Sequence, residues 1–249
     1  MKYLRIKHAS VSISGAGGNP IIGKLVDYCE LTEKPLQVDL ELIHESNGLN
    51  LIWHNGDQKP LKFHLDFVKL VSQLRSFPAP KQGAFNQALG KKSRSIIDAT
   101  GGWAGDAMLM CLQGYKVTVI ERLPLMAALI EEAFWRLAKS EYAANNPIVV
   151  PTVLWGNAAE LLANFVAEAD CVYLDPMFPD KKKKKAASNK QMQLLQWLAG
   201  ADYDASDVAL TAKQYFPRLA VKRPDHAEPL LAAPTMQFSS KLVHYDVYM

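Results

Sequence analysis

A chain of 249 residues, 49% hydrophobic and 21% charged, can bury a core of its own, which excludes an intrinsically disordered segment and a small scaffold that needs staples. The net charge of +3 is too small to mark a nucleic-acid binder by itself, so any such role must rest on where the charges fall. Cys29, Cys111 and Cys171 are odd in number and lie outside any CxxC or Cys/His spacing, so neither a disulfide framework nor a metal site is expected.

The opening MKYLRIKHAS leads into no apolar run with a cleavage pattern, and no secretory signal is read there. The segment VDLELIHESNGLNLIWH alternates polar and apolar residues around Asn47-Gly48, which predicts a hairpin in a small β-rich N-terminal region. Phe63 to Leu74 reads as a helix, and SFPAPKQGAF, with two prolines and a glycine, as a junction. The expected division is therefore 1–78 for the β-rich region and 79–249 for a larger α/β domain.

From residue 94 onward, β-like runs alternate with helical patterns, the mark of a parallel sheet covered on both faces. The strands are read at 95–98, 116–121, 148–154, 170–175 and 218–223. Helices are expected over Gly105 to Leu112, Leu123 to Lys139, Ala158 to Val166 and Lys190 to Leu198. The most apolar of these, Leu123 to Ala138, contains Glu131, Glu132 and Arg136 and is too short and too charged to cross a bilayer. A soluble, cytoplasmic protein is expected. The final TMQFSS and KLVHYDVYM leave no room for a helix between them and read as an antiparallel hairpin.

Chemistry gathers at the ends of these strands. DATGGWAGDA, from Asp98 to Ala107, joins a strand to a helix, and Gly101, Gly102 and Gly105 allow a ligand to approach the backbone. Glu121, beside Arg122 at the end of the next strand, can accept hydrogen bonds from ribose hydroxyls, a geometry shared by nicotinamide and S-adenosylmethionine enzymes. In WGNAAELL, Asn157 and Ala158 follow the third strand where an adenine would lie, although Asn157 serves equally as a helix N-cap. YLDPMFPD follows the fourth strand. Asp175 and the carbonyl of Pro176 can hold an amine whose lone pair is delocalised into a base, and Phe178 can stack on that base. Lys181, Lys182, Lys183, Lys184 and Lys185 come directly after this loop, and Lys222 and Arg223 end the next strand, so all seven are candidates for RNA phosphate contacts.

Together DATGGWAGDA, ERLPLMAALIEEA, YLDPMFP and VKRPDHAEPL resemble the ribosomal RNA small subunit methyltransferase J family, whose members methylate the exocyclic N2 of a guanosine in small-subunit (16S) ribosomal RNA. The resemblance runs from about residue 63 to the C-terminus. It implies a Rossmann-like class I methyltransferase, a doubly wound sheet with a terminal antiparallel hairpin, that uses S-adenosyl-L-methionine and acts on ribosomal RNA or the small ribosomal subunit. It also implies cofactor contacts at Gly105 and Asp106, Glu121 and Arg122, Asn157 and Ala158, and Asp175, beside Asp98 and Gly101 of the glycine loop. The chain has Trp103 and Gly105 where the family has a smaller apolar residue and an arginine, and Asn157 and Ala158 where it has two serines. Two other readings fit the glycine loop and Glu121: a nicotinamide-dependent oxidoreductase, and a non-catalytic RNA-binding or ribosome-assembly protein on the same fold.

Overall fold

The first five strands are β1 (Lys2–Ile6), β2 (Ala9–Ser14), β3 (Leu40–Glu45), β4 (Gly48–Trp53) and β5 (Leu61–His64), and they form one sheet in that order. They belong to a computed structural model that describes residues 1–15, 19–56, 58–74, 76–166, 168–177, 189–200 and 202–249. Phe178 and Lys181 to Lys185 lie outside these residues. Neighbouring strands are antiparallel except β2 and β3, whose parallel pairing requires the crossover helix α1 (Pro20–Tyr28). Asn19 caps α1 by accepting from the amides of Ile21 and Ile22, and the helix buries Ile21, Ile22, Leu25 and Val26.

The expected hairpin is present with its turn moved back by one residue. Glu45 pairs with Gly48, so the two-residue loop is Ser46-Asn47. Gly48 has φ +113, and a Cβ there would lie 2.3 Å from Nε of Arg136. The helix expected from Phe63 starts only at Phe67, because Phe63 pairs with Leu51 in β5; Asp66 then caps α2 (Phe67–Ser72).

After α3 (Gly83–Leu89) the chain alternates β6 (Ser95–Asp98), α4 (Gly105–Leu112), β7 (Lys116–Glu121), α5 (Pro124–Ala138), α6 (Glu141–Asn145) and β8 (Thr152–Trp155). It continues through α7 (Ala158–Leu161), a 3-10 turn at Leu162–Phe165, β9 (Cys171–Leu174), α8 (Lys190–Ala199), α9 (Ala205–Tyr215), β10 (Leu219–Pro224), β11 (Met236–Ser239) and β12 (Val243–Tyr248). The seven strands lie in the order β11-β12-β10-β9-β6-β7-β8. From β8 to β10 neighbours are parallel, and β12 runs antiparallel between β10 and β11. The terminal hairpin is thus as expected. Two expected elements are shorter: β8 begins after Pro151, which has no amide to give to a ladder, and the helix expected to Val166 breaks after Leu161.

Chain order reverses direction between β6 and β9, since β7 and β8 add on one side and β10 on the other. Such a switch point leaves a crevice beyond the strand ends. The buried α5 packs on β7 and β8 and also on β4, α1 and α2, so the core of the first sheet is continuous with one face of the second. A second apolar cluster, including Ile97, Leu174, Val208 and Val221, fills the opposite face against α9. Cys111 and Cys171 are buried, Cys29 is partly buried, and all three are free thiols. Among the described residues no helix is long and apolar enough to cross a membrane, and no cluster of three metal-binding side chains occurs.

Candidate active site

The loops after β6, β7, β8 and β9 line one crevice at the switch point, and α8 closes its side with Leu195 and Ala199. The glycine loop is pressed against β7. A Cβ on Gly101 would lie 2.9 Å from Cγ1 of Val119 and 3.0 Å from Cβ of Glu121. Gly102, at φ +54, donates its amide to Oε2 of Glu121 at 2.7 Å, and Leu123 donates to Oε1 at 2.7 Å. Burial pushes the Glu121 carboxyl up to about 6 against these two bonds and the nearby Arg122 charge; the residue is 7% exposed. A carboxylate offers about four acceptor positions, so two remain for hydroxyls of a ligand in the crevice. Those free acceptor positions, beside a glycine loop without Cβ atoms, fit the ribose of S-adenosylmethionine.

Arg122 turns away from the glycine loop and pairs with Asp202 and with Oδ1 of Asp204, the latter at 2.9 Å. Asp202 in turn accepts the amide of Met177 at 2.7 Å and donates its own amide to the Met177 carbonyl at 2.9 Å. The end of β7 is thereby stapled to the loop that follows β9. Asn157 caps α7 by accepting from the amide of Ala159 at 2.9 Å, and both Asn157 and the buried Ala158 line the crevice.

The acidic centre lies where β6, β9 and β10 meet. The Thr100 hydroxyl accepts the amide of Asp175 at 2.7 Å and donates to Oδ1 of Asp98 at 3.3 Å, joining two strand ends. Asp98 is 2% exposed. Burial first, and then the charges of Asp106 and Asp175, push it up to about 7 against its bonds from Thr100. The Asp175 side chain, 41% exposed, stands at the crevice with Oδ2 2.8 Å from Nζ of Lys222. Crowding by protein raises its carboxyl above the ordinary value, opposed chiefly by the Lys222 charge. Lys222 also meets Oδ2 of Asp106 at 2.9 Å, and the Tyr173 hydroxyl donates to that same oxygen at 2.6 Å. Burial would lower the Lys222 ammonium, but the two carboxylates outweigh it and raise it well above the ordinary lysine value.

Of the residues anticipated from sequence, Glu121, Arg122, Asn157, Ala158, Asp175 and Pro176 line the crevice. Asp98 and Gly101 lie beneath it, Asp106 stands behind Asp175, and Gly105 opens α4 with no atom within 4 Å of a Cβ built there. Lys222 and Arg223, anticipated at the end of a strand, both lie inside β10 and pair with Tyr245 and His244 of β12. Arg223 is mostly buried and donates to the Glu228 carbonyl at 2.6 Å. Trp103, large where the resembling family is small, packs on Phe63 and donates to the Gln191 carbonyl at 3.0 Å. Thr100, Asp202 and Asp204 were not anticipated. The acids of GADYDASD lie in no motif read from the sequence, and their partner Arg122 is about eighty residues away in sequence.

Residues 24–249 match the family described as "Putative SAM-dependent methyltransferase". Curated relatives named ribosomal RNA small subunit methyltransferase J include those of Shewanella sediminis, 36% identical over 84% of this chain and 83% of the relative, and of Alteromonas mediterranea, 37% identical over 82% and 80%. That of Shewanella oneidensis is 34% identical over 90% of this chain and 93% of its own. Among solved structures, a SAM-dependent methyltransferase from Neisseria gonorrhoeae superposes with a TM-score of 0.67 over 96% of this chain and 95% of its own, at 24% identity, and so shares the fold. The chain is a methyltransferase by descent, not a nicotinamide oxidoreductase, and it belongs to the S-adenosylmethionine-dependent ribosomal RNA small subunit methyltransferase J family.

Proposed function

We propose that this enzyme methylates the exocyclic N2 amine of a guanosine in 16S ribosomal RNA, with S-adenosylmethionine bound in the crevice beyond β6, β7, β8 and β9. The observation that carries the reading is the placement of Asp175. Its amide is held by Thr100, its Oδ2 is held by Lys222, and its carboxylate faces the crevice walled by Glu121. When bound, the cofactor supplies an electrophilic methyl group; the chain supplies alignment and electrostatics. Glu121 holds the ribose, and the backbone around Asn157 and Ala158 flanks the adenine. Asp175 and the Pro176 carbonyl accept the two N–H bonds of guanine N2, which turns its lone pair toward the methyl group. The proton that N2 must lose passes to Asp175 or to water. Phe178 stacks on the base, and Lys181 to Lys185, which directly follow it, meet RNA phosphates. Residues 79–249 then carry the chemistry, and 1–78 support it.

The direct test is to map guanosine methylation in small-subunit ribosomal RNA from cells with and without the gene. The reading expects one N2-methylguanosine to disappear with the gene, and an unchanged RNA would refute it. Replacing Lys181, Lys183 and Lys185 by Ala should weaken RNA binding and reduce its salt slope by up to about three contacts' worth. An unaltered slope would remove the lysine run from the RNA interface.

A further inference from the structure

Lys222 makes two ion pairs at the centre of the site, at 2.8 Å to Asp175 and 2.9 Å to Asp106, and its side chain is 23% exposed. An ammonium has three N–H donors, and two are committed to carboxylates here. Withdrawing it to a phosphate would leave Asp106 and Asp175 facing each other without their cation. The charged and titratable groups around Asp175 come from every neighbouring element: Asp98 at the end of β6, Asp106 on α4, Tyr173 on β9, Asp202 before α9, Tyr245 on β12 and Lys222 on β10. Three of these are acids and two are phenols. Lys222 is the cation that meets Asp175, and Oδ1 of Asp175 has no partner among the described residues.

We infer that Lys222 is a positioning residue for methyl transfer, not a phosphate ligand: it pins Oδ2 of Asp175, keeps that carboxyl ionised among its acidic neighbours, and leaves Oδ1 to accept the amine hydrogen. The shared bond to Asp106 ties the same carboxylate to the first turn of α4, so the base-holding and cofactor-facing sides move as one unit. The inference rests on Asp175 as the amine acceptor. Its pH consequence has a definite sign. A carboxylate accepts the amine hydrogen more strongly than the neutral acid does, so the rate falls as pH drops through the Asp175 pKa. Crowding by protein and the charges of Asp106 and Asp202 already raise that pKa, and Lys222 opposes them. Removing Lys222 moves the acid limb of the rate profile to higher pH.

Single-turnover methylation of 16S RNA by the full chain, measured from pH 5.5 to 9 at saturating cofactor, is the test. Lys222→Met should lower the rate on the acid limb of the profile, by about tenfold for each unit the limb moves, with the deficit shrinking as pH rises above the limb. Lys222→Arg keeps the charge and should leave the limb near its native position even if the rate falls. Thermal melts and cofactor titration identify variants that are folded and loaded. If the limb of Lys222→Met coincides with that of the native enzyme, the inference is overturned, while a collapse in Asp175→Asn leaves the acceptor reading standing. A native rate in Asp175→Asn, which keeps an amide acceptor, overturns the inference alone, and a native rate in Asp175→Ala overturns both. If Lys222→Met misfolds, the position of the limb in Lys222→Arg decides: unchanged supports the inference, and raised as far as loss of the charge would raise it refutes it.

Discussion

The two sheets of this protein handle polar groups in opposite ways. The five-stranded sheet buries almost only apolar side chains, such as Leu4, Val11, Leu40 and Leu51, with Ser10, Ser12 and Asn50 as small neutral exceptions. The seven-stranded sheet buries carboxylates at one rim, where Asp98 and Glu121 are raised to about 7 and about 6. Burying a charge costs stability, so a fold that gathers several at neighbouring strand ends is shaped there by something other than stability. The first sheet takes part indirectly. Lys7, at the β1–β2 turn, donates to the Ala199 carbonyl at 2.7 Å, and Trp197 of α8 packs on His8 and Trp53 with ring centroids at 4.6 and 5.5 Å. It thus holds the helix whose Leu195 and Ala199 wall the crevice.

If chemistry is confined to the rim of the second sheet, substitutions there should affect catalysis or cofactor binding, and those at its contact with the first sheet should affect binding alone. The largest effect is expected for Asp175→Ala, whose methyl-transfer step should fall by about 100-fold or more at saturating RNA and cofactor, as when alignment is lost. Single-turnover kinetics on folded protein measures it. Glu121→Ala removes hydrogen bonds to a charged acceptor, worth roughly 1.5–3 kcal/mol, and should weaken S-adenosylmethionine by about 10- to 100-fold in calorimetry, with RNA affinity retained. Trp197→Ala, which frees α8 from the first sheet, should weaken the cofactor by about three- to tenfold and leave the saturated rate nearly intact. A rate loss as deep as that of Asp175→Ala would dissolve the distinction between the two regions.

A separate expectation concerns stability. Asp98 ionises at about 7 in the fold against 3.8 as its ordinary value, so the folded chain holds a proton there that the unfolded chain has released. Its contribution to stability is fully lost once pH has risen through about 7. Asp98→Asn keeps an acceptor for Thr100 and should flatten the decline between about pH 4 and 7. Melts of the protein without cofactor at pH 5 and 8 check this: the variant should gain more on the native chain at pH 8 than at pH 5.

Legibility in the sequence follows the same division. The strands Ser95–Asp98 and Lys116–Glu121 were read to the residue, because continuous apolar runs ending in an acid report both burial and the strand end. In the first sheet only the β3–β4 hairpin was visible. Strands β1 and β2 and helix α1 were not, since the turn at Lys7 and His8 has no Gly or Pro signal and Lys7 itself takes φ +53. Helix α9 was missed because ASDVALTAKQY carries few large apolar residues; it packs through Ala205, Ala209 and Ala212. At the site, the residue at each strand end could be named from sequence, but its partners could not. Lys222 looked like a free cation until the register of β10 beside β9 placed it against Asp175.

The central claim is that the rim of the second sheet directs a methyl group to a guanine amine. It is tested most directly by incubating purified protein with labelled S-adenosylmethionine and small-subunit RNA from cells lacking the gene, then digesting the RNA to nucleosides. The account predicts label in N2-methylguanosine, lost with Asp175→Ala. Label in another nucleoside, or none from a protein shown to bind the cofactor, would contradict it.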